Sequence, residues 1–225
     1  MVDTRMLAAN MANAQAQPGL GLVSAVDPLN HAVKVTAQPA GVETGWIPYA
    51  AMQVGTLRIA CVPDIGTHVL LVRLEGDGEH AVCACPVYDA VILPPVSPAT
   101  GHVAQPGELL VVAGCGAPPT GDDTTPGAVS RNAPWWHLTR DTIYSGAGNT
   151  TETLTNGSRA WKVDGVTMTL DTNGLTVTGG PIITDGNITA QGTVTGQTDV
   201  KAAGISGKSH IHPVTTVPGA TEAPQ

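Results

Sequence analysis

The chain has no phenylalanine, and aromatic residues make up only 3% of its 225 positions. A monomeric globule normally draws its largest buried areas from aromatic and long aliphatic side chains. Val, Thr, Ala and Gly must fill that role here, which suits narrow β structure rather than a thick globule. Charge is scarce too, at 12% of residues. So small a charged fraction points to a surface largely covered in an assembly. The balance is acidic, a formal −8 with no Lys/Arg-rich face, which argues against general nucleic-acid binding. No apolar run approaches the ~18 residues of a membrane-spanning helix. Met1 to Ala16 lacks the basic start and continuous apolar stretch of a secretory signal, so the expectation is assembly in the cytosol. Cys61, Cys83, Cys85 and Cys115 have no metal-site spacing and are too few for a disulfide framework. They read as small buried hydrophobes in a reducing compartment.

What is abundant is Gly, with 27 residues, and Pro, with 18. They punctuate the chain. Residues 1–17 carry Met6, Leu7, Met11 and Ala14 at helix-compatible intervals, stop at Pro18-Gly19, and read as an N-terminal arm. Residues 18–92 read as short strands between turns. Leu20 to Val26 runs into Asp27-Pro28-Leu29-Asn30, Val33 and Val35 oppose Lys34 and Thr36, and Thr44 to Pro48 stops at proline. Thr67 to Leu74 and His80 to Val87 flank a hairpin signal at Glu75-Gly76-Asp77-Gly78-Glu79. Such a series predicts an OB-type barrel. Residues 93–134 form a Pro-rich neck and loop around one apolar strand, Glu108 to Ala113.

From Trp135 to Gly207 the chain becomes a tract of Thr/Val/Ile segments separated by Asn156-Gly157, Asp164-Gly165, Asn173-Gly174 and Asp185-Gly186. Val166, Met168 and Leu170 alternate with threonines, as do Leu175 and Val177, and then Ile188, Ala190, Gly192 and Val194. Each strip puts one thin apolar row on one face. One chain has no second layer for those rows, but identical rows from neighbouring chains would bury them, as in an intertwined trimeric β-helix. The inward residues shrink to Ala202, Ala203 and Gly204, as a tapering shaft requires.

Residues 208–225 close the chain, and they contain His210 and His212. Two residues apart on a strand means one face, with Cα atoms roughly 7 Å apart. One chain supplies two imidazoles, too few for a closed site, whereas three chains on an axis supply six. Six nitrogen ligands suit Fe(II), Ni(II) or Co(II) better than Zn(II). A site with every position filled by protein is structural, not catalytic. The other histidines (His31, His68, His80, His102 and His137) read as ordinary strand or loop residues, and Trp135-Trp136 as the seat of a junction between the OB-type barrel and the tract that follows. No Ser/His/acid or paired-carboxylate arrangement stands out.

The stretch from Gly192 through Asp199, Gly204-Ile205-Ser206, Lys208 and His210-Ile211-His212 closely resembles the C-terminus of the central spike, or baseplate assembly protein V, of contractile-tailed phages. Gly21 to Asp27, Trp46-Ile47-Pro48 and Gly66 to Val72 are similar to the OB collar of that family, so the likeness covers most of residues 19–225. Two positions depart from the pattern: Gly207 stands where a larger apolar residue is commoner, and Pro213-Val214-Thr215 follows His212 in place of Gly-Gly. The resemblance implies an all-β homotrimer: an N-terminal OB-type collar, an intertwined trimeric β-helix spike over 135–207, and a metal-capped tip. It implies one iron ion (Fe2+) per trimer, held by six histidines, His210 and His212 of each chain. It also implies a baseplate hub or tail tube protein as partner, a place at the tip of the virion's tail, and piercing of the host outer membrane, with no enzymatic activity and no nucleic-acid partner. The alternative is an OB-fold adaptor or receptor-binding tip that recognises a cell-surface glycan. A metalloenzyme would need an open coordination position, with Asp199 or Glu222 recruited beside the histidines.

Overall fold

β-Branched residues in alternation, with Gly and Pro at the breaks, build almost everything in this protein. The structure, a computed structural model, describes residues 4–6, 8, 17–74, 80–121 and 123–211. Thr4, Arg5, Met6 and Ala8 are helical. The rest of the 1–16 arm, the 75–79 turn, Asp122 and the segment from His212 onward lie outside the described residues. The chain divides into two units, Met1–Pro181 and Ile182–Gln225.

In the first unit, β1 (Gly19–Asp27), β2 (Ala32–Ala37), β3 (Val42–Glu43) and β4 (Ile47–Pro48) precede a separate ribbon of β5 (Met52–Val54) and β6 (Leu57–Ile59). Next come β7 (His68–Arg73) and β8 (Ala81–Pro86). The sheet runs β3-β2-β1-β7-β8, with β4 added on β2. Its core is Val23, Val33, Val35, Ile47, Val69, Leu71, Ala81 and Cys83, all small or aliphatic. The alternation read from Val33 and Val35 is what points them inward, each fully buried. Gly21 is required by close approach, since a Cβ there would lie 2.9 Å from the Thr36 carbonyl and against the Val35 side chain. Among the described residues, no ladder closes a barrel. β4 stops after two residues because Pro48 has no N–H to donate. Beyond it only a single bridge, Tyr49 to Cys83, reaches β8, reinforced by the Ala50 N–H donating to the Cys83 carbonyl at 2.8 Å.

The second sheet contains β9 (Leu109–Val112), β10 (Pro134–Leu138), β11 (Ile143–Ala147), β12 (Thr150–Leu154), β13 (Ser158–Val163), β14 (Val166–Asp171) and β15 (Gly174–Thr178). They pair in chain order as a seven-stranded antiparallel meander. The strand expected inside the Pro-rich neck is thus an edge of this sheet, where β9 pairs with β10. The turns use the dipeptides the sequence offers: Asp164 (φ 51°) precedes Gly165, Gly148 (φ 56°) opens the β11–β12 turn, and Gly174 (φ 120°) begins β15. Register collects the apolar strips on one face. Val111, Trp136, Trp161, Met168 and Val177 fall in one cross-strand row with Ser145 and Glu152, and Leu109, Leu138, Ile143, Leu154, Leu170 and Leu175 in another on that same side with Arg159, which pairs with Glu152 across the two rows. The opposite side carries Thr151, Thr167 and Thr178, and in its next row Thr153, Thr169 and Thr176. The apolar side is open: Leu170 is 50% and Leu175 61% exposed.

The second unit holds one small hairpin, β16 (Lys201–Ala202) and β17 (Ile205–Ser206). Ala203 (φ 49°) and Gly204 (φ 86°) form its two-residue turn. Residues 202–204 thus carry a reversal of the chain. The strip Ile188, Ala190, Gly192 and Val194 forms no strand within the chain, because it has no partner there. Among the described residues, no backbone–backbone hydrogen bond involves positions 182–198. Ile183 (87%), Ile188 (75%) and Val194 (68%) stand exposed.

Candidate metal centre

A two-strand hairpin followed by a turn is a compact way to present the residue that comes next, and that residue is His210. The Gly207 N–H donates to the Val200 carbonyl at 2.6 Å, so the chain folds back as β17 ends. The Lys208 N–H donates to Asp199 Oδ1 at 3.1 Å, and the Ser209 N–H to Ser206 Oγ at 3.1 Å. The His210 N–H donates to the Ser206 carbonyl at 3.1 Å, and its Nδ1 lies 3.2 Å from the Gly207 carbonyl. Hydrogen bonds from the Ser206 hydroxyl, and then from the backbone at Lys208, Val200 and Gly207, hold the Asp199 carboxyl below the usual aspartate range. Glycine at 207 has a reason in this turn: a Cβ would sit 2.9 Å from the Val200 carbonyl.

His210 is exposed, and His212 lies outside the described residues. Among the described residues of one chain, no group of three or more His, Cys, Asp or Glu side chains could hold a metal. The donor chemistry fits iron only if several chains contribute, since a single chain offers two imidazoles. Asp199 is committed to the turn through Lys208, which leaves its carboxylate poorly placed as a ligand. Glu222 lies outside the described residues.

A second constellation escaped the sequence reading. Ser97 Oγ lies 2.9 Å from His137 Nδ1, and His137 Nε2 lies 3.2 Å from Glu108 Oε2. The order serine, histidine, carboxylate is that of a nucleophilic relay. Its surroundings are those of a fastener. Ser97 and His137 are 0% and 1% exposed. Ser97 Oγ accepts from the Ala99 and Thr100 amides at 3.2 and 3.4 Å, so its own proton goes to His137. His137 then donates from Nε2 to Glu108. That carboxylate also takes the Gln105 amide at 2.8 Å, and the Gln105 bond, ahead of His137, holds its carboxyl below the usual range. The network pins residues 97–100 to β10 and leaves no room for a substrate at Ser97. No local signal marks it, because its partners lie 40 and 29 positions from His137.

Two further groups are structural in setting. Asp89 caps its own turn through the Val91 and Ile92 amides (2.7 and 2.9 Å) and pairs with His68. Cys83 is buried, and burial, with help from Cys85, pushes its thiol up to about 11. Cys61, Cys85 and Cys115, expected to be buried, are exposed in the single chain, because only Cys83 falls on an inward position of the first sheet. The chain matches no protein-family model and no curated protein.

Proposed function

We propose that this chain is the central spike of a contractile phage tail, a mechanical protein that pierces the host outer membrane. The observation that carries the proposal is the pairing deficit of residues 182–198, a run that includes the alternating strip Ile188 to Thr195 and in which, among the described residues, no backbone–backbone hydrogen bond is made. Backbone polar groups need partners when they are covered. Two further copies of the same run, wound around one axis, supply them and bury Ile183, Ile188 and Val194 together. The open side of the seven-stranded sheet makes the same demand where Leu170 and Leu175 stand exposed beside Met168 and Val177. In this reading the first sheet is an OB-type collar that meets a baseplate hub or tail tube protein. The shaft is an intertwined trimeric β-helix, and His210 and His212 of three chains hold one iron(II) at the apex. The ion, when bound, supplies no chemistry to a substrate. It ties three chain ends together where load concentrates. The resemblance of residues 192–212 to phage spikes supports the assignment. The protein would be assembled in the host cytoplasm and carried in the virion.

The test is hydrogen exchange of the purified protein. Ladders between chains predict slow exchange across 182–198. Exchange at the rate of a free peptide, in a protein that sediments as a monomer, would return the chain to an OB-type adaptor or a receptor-binding tip.

A further inference from the structure

The peptide unit between Gly207 and Lys208 is held from both ends. Its N–H donates to Asp199 Oδ1 at 3.1 Å, and its C=O faces His210 Nδ1 at 3.2 Å. A trans peptide is planar, with the N–H and C=O pointing in opposite directions. A carboxylate that fixes one therefore aims the other. A carbonyl oxygen can only accept, so the proton of the His210 ring is on Nδ1 and its lone pair is on Nε2. The carboxylate also polarises the peptide, which makes the Gly207 carbonyl a stronger acceptor. The Val200 carbonyl holds the neighbouring Gly207 N–H at 2.6 Å, so the unit cannot easily rotate away. A side chain at 207 would press on that same carbonyl at 2.9 Å.

We propose that Asp199 is a positioning residue for the metal tip: through the Gly207–Lys208 peptide it sets the orientation and tautomer of His210, presenting Nε2 to the ion. The inference rests on the metal-tip reading above and adds to it a residue that does not touch the metal. The relay runs from carboxylate to peptide plane to imidazole, and each link is a hydrogen bond within one chain. It is therefore in place before three chains meet, which lowers the ordering cost of closing the site. Ser206 supports both ends, donating to Asp199 and accepting the Ser209 N–H.

The experiment uses the full chain, first stripped of metal and then loaded anaerobically with iron(II). Two quantities are read: amide exchange over residues 199–211, and the rate of iron(II) release to a coloured chelator. Removing an outer partner of a ligating histidine usually costs roughly 10–100-fold in metal affinity. Asp199→Ala is expected to speed iron release by about that factor and to speed exchange at Lys208 in the metal-free protein. Asp199→Asn keeps an acceptor oxygen and is expected to stay within a few-fold of the parent. Ser206→Ala leaves the carboxylate in place and gives a smaller increase in both quantities, which keeps the test decisive where Asp199→Ala fails to assemble. Unchanged Lys208 exchange in Asp199→Ala, or no increase in Ser206→Ala if Asp199→Ala does not assemble, overturns the clasp. Faster exchange with unchanged iron release overturns the positioning role. A parent trimer that takes up no iron overturns the metal tip itself, and that failure is seen before any variant is made.

Discussion

Replacing His137 by alanine should destabilise the seven-stranded sheet and the loop pinned to it by about 2–4 kcal/mol. The ring is 1% exposed, so the truncation opens a space in a packed region beside Trp135 and Tyr144. Ser97, itself fully buried, keeps its two backbone donors but loses the His137 acceptor of its proton. An orphaned buried hydroxyl costs roughly 1–3 kcal/mol, and the cavity adds to it. Glu108 contributes less, because its carboxylate reaches solvent and exchanges the lost donor for water. For a chain of this length the change corresponds to a fall in Tm of about 4–16 °C. Melting must be followed at one fixed protein concentration, since assembly contributes to apparent stability. The double variant Ser97→Ala/His137→Ala should be less destabilised than the two single effects added together, because the contact is shared. A His137→Ala protein within about 0.5 kcal/mol of the parent would refute the fastener account. So would covalent labelling of Ser97 by a fluorophosphonate probe, which a relay open to substrate would permit.

Gly21→Val should prevent β1 from pairing with β2, since the added carbons meet Val35 and the Thr36 carbonyl, and the soluble yield of folded protein reports it. Cys83 should resist alkylation in the native protein and react only on unfolding, as mass spectrometry of labelled peptides can show, because its thiol is buried with a raised pKa of about 11. Asp89 is held below its ordinary range first by its turn amides, at Ile92 and then Val91, and next by His68. Its contribution to stability is therefore complete above the unfolded aspartate pKa of about 3.9 and is lost as pH falls through the lower folded value. Asp89→Asn should flatten the pH dependence of the melting temperature in that acid window.

The alternating strips were legible because side-chain direction in a strand has period two. Val166, Met168 and Leu170 reach one face, together with Leu175 and Val177, as their spacing predicts. The Asp164-Gly165 turn was legible for a similar local reason, since those residues accept positive φ. Non-local features were not. The closure of the first sheet depends on how far β4 extends, and Pro48 ends it after two residues. The reversal at Ala203-Gly204 was hidden because alanine rarely adopts positive φ. The strip Ile188, Ala190, Gly192 and Val194 reads as strand by alternation, yet among the described residues no backbone–backbone hydrogen bond involves it, because alternation gives the face of a strand and not its partner. His137 gave no sign of its network, because Ser97 and Glu108 approach it only through the pairing of β9 with β10 and the loop laid over them.

The most direct measurement is metal content per chain together with molecular mass by light scattering. The account predicts a trimer with one iron per three chains, and complete loss of that iron in His210→Ala/His212→Ala with the trimer retained. A monomer without metal, or a metal held at one per chain and unaffected by those substitutions, would contradict it.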